Sequence, residues 1–567
     1  MNLASDELHP LLARVYAQRG IVSPHELDLQ LEHLLPPNEL TNALAAATLL
    51  ADAIADDARM VIIGDFDADG ATSTALAVAA LREFGARHVD YLVPNRFEYG
   101  YGLTPEIVAL AAAGAPDIIV TVDNGISSIE GVAAARELGI RTIITDHHLA
   151  GHELPAADVI VNPNQPGCQF ASKSLAGVGV LFYVMLALRA ELRERNWFVH
   201  GDEPTLAQHL DLVALGTVAD VVPLDRNNRI LVAAGLRRIR AGQARPGIAA
   251  LLEVAGRDCQ RLVASDLGFA VGPRINAAGR LDDMSIGIEC LLSQDLATAR
   301  VHAHRLHQLN QDRQVIERGM QEEAMQIIAS MPEVDLHDAP VAMTLYQPGW
   351  HQGVIGILAS RVKDRLHRPT IAFADGENGD IKGSARSITG IHIRDVLDAV
   401  ATRHPGLITR FGGHAMAAGL TLPRDGYAAF AQAFVQEVGR HAEEVQLQAV
   451  IESDGALAAH DLELAVAEQL RYAGPWGQHF PEPVFDGHFR VLNQRIVGER
   501  HLKLVLQLPC GGAALDAIFF NADTAQWPDD SVGIVHAAFR LDVNEFRGRR
   551  TLQLMIDHLI PVPASEH

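Results

Sequence analysis

Four short runs hold residues that could do metal chemistry: "GDFDADG" with Asp65, Asp67 and Asp69; "VDNG" with Asp123; "TDHH" with Asp146, His147 and His148; and "GTVADVVPL" with Asp220. In extended backbone, carboxylates at alternate positions point the same way. Crowded like this, they repel one another unless a cation sits among them. A solvated acidic turn and a calcium loop are the rival readings of the first run. The calcium pattern begins correctly, but its twelfth position is Leu76, which cannot ligate. An isolated Asp-Asn-Gly is usually only a turn. Adjacent histidines do not comfortably bind one ion in regular structure, so one can ligate while the other meets substrate, with Asp146 orienting a ring from behind. Asp220 lies in an apolar run, and a buried carboxylate needs a cationic side chain, a hydrogen-bond donor or a metal. Mostly oxygen ligands with one imidazole suit Mn²⁺ or Mg²⁺ better than Zn²⁺. Several bridging carboxylates suit two ions about 3.5–4 Å apart, and the matching reaction is phosphoester or phosphoanhydride hydrolysis.

Such residues must be brought together by the elements that carry them. Apolar runs at 60–64, 117–122 and 141–145 precede the first three motifs, and further strands are predicted at 88–93 and 158–161. Helices are predicted at 40–58, 71–84, 105–113, 128–138, 175–195 and 206–218. Runs such as "DIIVTV" are apolar on both faces, as in buried parallel strands. Their alternation with helices implies a doubly wound sheet, whose strands end at one edge. Residues 287–330, with Leu306, Leu309, Ile316 and Met320 on one side, predict a long bridging helix. A linker at 331–340 leads into a second α/β unit from 341 to about 439. Alternating segments after 449 predict a small twisted β barrel.

The chain has 567 residues, enough for two to four domains. Its start lacks a basic n-region, and its longest apolar stretch, 178–188, is too short to span a bilayer. Cys168, Cys259, Cys290 and Cys510 show no paired spacing, so reduced, mostly buried thiols of a cytoplasmic protein are expected. The formal charge of −24 disfavours non-specific nucleic-acid binding. A locally basic channel and cation-neutralised carboxylates are compatible with it all the same.

Taken in order, "DFDADG", "VDNG", "TDHH" and "GTVADVVPL" resemble the motifs of the DHH phosphoesterase superfamily. From about residue 40 to 562 the chain is most similar to that superfamily's single-strand-specific 5′→3′ DNA exonucleases. The resemblance implies that Asp67, Asp69, Asp123, His147 and Asp220 ligate two Mn²⁺ or Mg²⁺ ions, with Asp123 bridging. Asp65 either ligates or stands behind the ligands. His148 would face the scissile phosphate. Pyrophosphatase relatives carry a histidine where this chain has Ile63, so their first-ion coordination does not transfer. "VGPRINAAGRL" (271–281) alone reads as a Gly/Pro turn with solvated arginines. The resemblance makes Arg274, Asn276 and Arg280 phosphate contacts instead.

"IKGSARSITGIHI" and "RFGGHAMAAGL" resemble the DHH-associated domain. Ser384 and Arg386 would grip a terminal phosphate with Arg96 as a third arm, while Gly412, Gly413 and His414 would approach the strand. The barrel resembles an OB-fold, and "NEFRGRR" (Phe546, Arg547, Arg549, Arg550) is either a solvated hairpin tip or a strand contact. The implied layout is an N-terminal arm (1–40), a DHH catalytic domain (41–284), a connecting helical region (285–337), a DHH-associated domain (338–442) and an OB-fold (449–562). The implied protein is a monomeric, cytoplasmic, nucleoid-associated exonuclease of DNA repair and recombination, with no membrane contact. Single-stranded DNA is its substrate, and single-strand-binding protein and a RecQ-type helicase are expected partners. Two rivals are a phosphodiesterase for short oligonucleotides or cyclic dinucleotides and a non-catalytic replication scaffold.

Overall fold

The computed structural model describes residues 8–94, 102–199, 201, 203–329, 340–376, 379–442, 447–524, 526–546 and 548–562. Two compact units emerge. One holds the chain up to Gly279, Asp283–His307 and everything from Glu452; the other holds Arg280–Asp282 and Gln308–Ile451.

The first unit holds helices α1 (Pro10–Gln18), α2 (Ala43–Ala55), α3 (Ala68–Glu83), α4 (Pro105–Ala112), α5 (Ile129–Glu137), α6 (Gly177–Glu194), α7 (Leu210–Ala219), α8 (Arg226–Arg240) and α9 (Pro246–Val254) together with a five-stranded sheet. Its strands are β1 (Met60–Gly64), β2 (Val89–Leu92), β3 (Ile118–Val122), β4 (Arg141–Thr145) and β5 (Val159–Val161), all parallel, in the order β2-β1-β3-β4-β5. Ile63, Ile119, Ile144 and Ile160 are buried against Ile107, Val108 and Val132 of α4 and α5. Each such aliphatic side chain contributes roughly 1.5–3 kcal/mol on burial. That apolar body holds the polar strand ends in place. Strand order reverses around β1, so the switch point lies between the ends of β1 and β3.

The register decides what stands there. Gly64 pairs with Val122, Val122 with Thr145, and Thr145 with Val161. The next residues of those four strands are therefore Asp65, Asp123, Asp146 and Asn162, in one row.

Several expectations change. Strand β1 ends at Gly64, and α3 begins at Ala68 rather than Ala71 because the Asp67 side chain caps it. The 287–330 stretch is two helices, Ser285–Leu292 and Leu296–Ala329, parted at 293–295. Residues 271–281 are not a turn: a π-helical turn, Leu267–Val271, runs directly into a helix over Gly272–Leu281. Cys168 and Cys290 are buried, but Cys259 is half-buried and Cys510 exposed. The linker at 331–340 lies outside the described residues except for Pro340.

The C-terminal barrel is closed and has five strands. Before it come the strands of the second unit: β6 (Met343–Tyr346), β7 (Thr370–Asp375), β8 (Asp380–Arg386), β9 (Arg410–Gly413) and β10 (Ala417–Pro423), ordered β6-β7-β8-β10-β9. Only the β6–β7 pair of that sheet is parallel. The barrel strands are β11 (Phe485–Val497), β12 (His501–Gln507), β13 (Leu515–Phe519), β14 (Ile534–Phe546) and β15 (Arg549–Pro561). The barrel belongs to the same compact unit as the parallel sheet, and the N-terminal arm joins them. Arg19 pairs with Asp454 at 2.6 Å, both side chains being nearly buried. Tyr16 stacks on Trp476 and Phe480, and Arg229 lies 4.2 Å over the Phe480 ring. Among the described residues no helix is long and apolar enough to cross a membrane.

Candidate metal centre

The first cluster is built on a helix start, not on an extended strand. Asp67 has extended backbone (φ −124°, ψ −172°), and its Oδ1 accepts hydrogen bonds from the Asp69 and Gly70 amides, both at 3.0 Å. Asp69 lies inside the first turn of α3 and is almost fully buried. Its carboxylate accepts from the Gly177 amide at 2.6 Å and the Val178 amide at 3.0 Å, the start of α6. A helix N-terminus favours negative charge there. Burial and the neighbouring Asp67 nevertheless push the Asp69 pKa up to about 7.

Asp123 follows β3 at φ +63°, a left-handed conformation that aspartate tolerates better than most residues. The Asn124 side chain ties the turn to both strands, donating to the Ile63 and Val122 carbonyls. His147 Nε2 lies 3.1 Å from Asp123 Oδ1 and 3.4 Å from Asp220 Oδ2. Asp220 arrives from another direction, at the C-terminal end of α7. Val221, the next residue, has φ +59°. For a β-branched side chain that conformation costs about 1–3 kcal/mol.

Donor atoms converge in three overlapping sets, each within 4.8 Å: Asp65, Asp67 and Asp123; Asp69, His147 and Asp220; and Asp123, His147 and His148. Asp123 and His147 each belong to two of them. Burial first, then the charges of the other carboxylates, raises the pKa of Asp123 and of Asp220 well above the ordinary range. Five carboxylates and imidazole nitrogen in this space fit hard divalent cations such as Mn²⁺ or Mg²⁺. A bound cation would relieve the repulsion that raises those pKa values.

Behind the cluster, Asp146 Oδ1 lies 2.7 Å from His148 Nδ1 and accepts from the His147 and His148 amides. Burial alone would raise the Asp146 pKa, but the His148 ring holds it below the ordinary value. For His148, burial pulls downward, yet the bond to Asp146 and the charges of Asp146, Asp65 and Asp67 raise it to about 9.

Sequence reasoning missed several supports. Asn162 donates to the His148 carbonyl at 2.9 Å, and Asn164 to the His147 carbonyl at 2.6 Å. Asn162 follows a strand just as the aspartates do, so the same strand-end rule would have found it. Gly177 and Gly279 gave no signal. A Cβ at Gly177 would sit 2.6 Å from Asp123 Cβ, and one at Gly279 would sit 1.9 Å from the Phe66 carbonyl oxygen.

The expected substrate contacts divide. Asn276 Oδ1 accepts from the Ala68 amide at 2.7 Å and so braces the start of α3. Arg274 donates to the Ala270 carbonyl and to His307 Nδ1. Arg280 donates to the Gly353 carbonyl at 3.0 Å. In the second unit, Ser384 and Arg386 share one face of β8, with Arg386 Nη1 3.1 Å from Ser384 Oγ. Gly356, near the start of the helix Ile355–Leu366, leaves the space before them open. A Cβ there would lie 2.8 Å from Arg386 Nη2 and 2.9 Å from Ser384 Oγ. Gly412 faces open space, whereas Gly413 (φ +142°) is required by the hairpin, where a Cβ would meet the Ala417 carbonyl at 2.4 Å. The His414 amide donates to that carbonyl. Arg549 and Arg550 are exposed at the β14–β15 hairpin, with Arg550 2.7 Å from Glu468. Arg96, Arg547 and the Phe546 side chain lie outside the described residues.

Three family models match the chain: the DHH family N-terminal domain over residues 59–217, the DHHA1 domain over 338–440 and the RecJ OB domain over 453–558. The single-stranded-DNA-specific exonuclease RecJ of Dickeya dadantii is 58% identical over 559 residues, covering 98% of this chain and 97% of the relative. The Escherichia coli exonuclease of the same name is 56% identical over 558 residues, covering 98% and 96%. A crystal structure of RecJ with Mn²⁺ from Thermus thermophilus superposes with a TM-score of 0.80 at 30% identity, covering all of this chain and 79% of that one.

Proposed function

The chain belongs to the RecJ family of single-stranded-DNA-specific exonucleases, and from that premise we propose that it degrades single-stranded DNA from the 5′ end to 5′-mononucleotides. The observation that carries this reading is the convergence of Asp65, Asp67, Asp69, Asp123, His147 and Asp220 within overlapping 4.8 Å sets beside His148. Asp67, Asp69, Asp123, His147 and Asp220 would hold two Mn²⁺ or Mg²⁺ ions, with Asp123 and His147 each shared by two of the ligand sets and Asp65 completing the first. When bound, such ions activate water and offset the charge that develops at the reacting phosphate.

The chain's own groups do the rest. Asp146 fixes the His148 ring and favours its protonated form. His148 then offers positive charge, or a proton, to the phosphate. Ser384 and Arg386, opened by Gly356 at a helix N-terminus, would hold the 5′-terminal phosphate. Arg96 would be the third arm of that terminal-phosphate pocket, Arg274 and Arg280 would neutralise backbone phosphates, and Gly412 and His414 would lie along the strand. The barrel and its hairpin would bind the strand farther from the cut. The same reading places the protein in DNA repair and recombination as a monomer, with single-strand-binding protein and a RecQ-type helicase as partners.

A Mn²⁺ titration on end-labelled single strands tests it. Cleavage should need the metal, stop in excess EDTA and stop when the 5′ end is blocked, while a 3′ block changes little. Digestion of a 5′-blocked strand at the ordinary rate overturns the direction.

A further inference from the structure

Three unusual features meet at the C-terminal end of α7, and none is used by the metal centre. Phe269 is 84% exposed, the most exposed of the large apolar side chains among the described residues. Val221, directly after Asp220, is 63% exposed and held in a left-handed backbone conformation. Phe269 lies in the π-helical turn Leu267–Val271, a form that recurs at functional sites. Packing joins the turn to the helix. A Cβ on Gly268 would stand 3.1 Å from Val218 Cγ1, and one on Gly272 would stand 3.1 Å from Ala219 Cβ. Phe269 is thus carried on a turn pressed against the helix end that delivers Asp220, whose carboxylate lies 3.4 Å from His147. Arg274 grips the same turn through the Ala270 carbonyl and is half-buried there.

Exposing a phenylalanine to water is unfavourable, and a valine at positive φ is strained. Neither contributes to the core. An aromatic face with an arginine beside it is the pairing that binds single strands without regard to sequence, since every base has a π-face and every linkage a phosphate. We propose that Phe269, carried on the turn packed against the helix end that delivers Asp220, is a stacking platform for a nucleobase of the single strand next to the cleavage site. The proposal rests on the exonuclease reading above and names a contact within it. It also implies sequence-tolerant positioning, because stacking does not read base edges.

The experiment uses the full-length protein with Mn²⁺ and 5′-phosphorylated single strands carrying one abasic residue, moved stepwise along the first several nucleotides. Wild-type hydrolysis of the intact strand checks the exonuclease reading by itself. Phe269→Ala should raise KM on intact DNA about tenfold or more, with a much smaller change in kcat. An abasic residue at the stacked position should raise the wild-type KM similarly and leave the KM of the variant unchanged, because both remove one contact. Phe269→Trp should retain the wild-type profile. Melting temperatures should match, since Phe269 buries almost nothing. An unchanged KM in Phe269→Ala, or the same abasic profile in variant and wild type, overturns the proposal, whatever protein the surface is found to bind.

Discussion

The two five-stranded sheets of this chain solve different chemical problems, and their strand directions explain why. In the first, every neighbour is parallel, so the ends of β1, β3, β4 and β5 share one edge. Residues far apart in sequence, Asp65, Asp123 and Asp146, become neighbours by register alone. In the second, β8, β9 and β10 run antiparallel to their neighbours, and strand ends alternate between edges. Its candidate polar groups, Ser384 and Arg386, come instead from alternate positions of one strand, facing a helix start. A parallel sheet gathers like charges, which suits cations. The second arrangement presents a guanidinium, a hydroxyl and a helix N-terminus, which suits an anion.

The largest expected effect separates the two. Asp123→Asn keeps the left-handed turn and the side-chain volume but removes a charge shared by two ligand sets. Hydrolysis should fall by more than about a thousandfold, and Mn²⁺ binding measured by calorimetry should weaken sharply. Preference for a 5′-phosphorylated over a 5′-hydroxyl strand in binding should survive. Retained activity in that variant would break the comparison at its first half.

Arg386→Ala should do the reverse. The 5′-phosphate preference should drop by about tenfold to a hundredfold, as expected for a charge-assisted contact, while Mn²⁺ affinity stays as it was. Arg386→Lys should restore it only partly, because an ammonium lacks the planar fork.

A subtler variant sharpens the first half. Gly177→Ala would press a methyl group against Asp123, so Mn²⁺ affinity should weaken about tenfold, as for other changes that displace a ligand. The fold should survive, with a lower melting temperature.

The smallest effect is one of pH. The Asp69 pKa is raised from about 4 in the unfolded chain to about 7 in the folded one. The folded state therefore holds more protons, and the stability of ion-free protein should fall as pH rises from about 4 to 7. Above pH 7, added Mn²⁺ should raise the melting temperature most, because no proton then competes for the carboxylate. Scanning calorimetry with and without Mn²⁺ at pH 5.5 and pH 8 checks the sign. An ion-free protein that melts higher at pH 8 would show that the cluster is not strained by its own charge.

Legibility in the sequence followed the range of the interactions. Strands β1 and β4 were placed to the residue, because an apolar run bounded by turn residues is a local signal. The 271–281 segment reads locally as a turn, but its glycines are packing residues of a helix: Gly279 lets that helix touch the Phe66 backbone. The Asp65–Asp69 run was right as a cluster and wrong as a geometry. Three aspartates at alternate positions suggest a strand, yet Asp67 captures the amides of residues 69 and 70 and starts a helix instead.

By itself, the sequence determined the parallel α/β class, the barrel, and the residue types that bind metal and phosphate. Those follow from periodicity and side-chain chemistry, which are properties of short segments. Only the tertiary structure decided that Asp220 meets His147 from a helix end, that Asp146 serves His148, and that the turn carrying Phe269 packs against the end of α7. Those depend on register and on close glycine contacts between segments distant in the chain, and no local pattern encodes them.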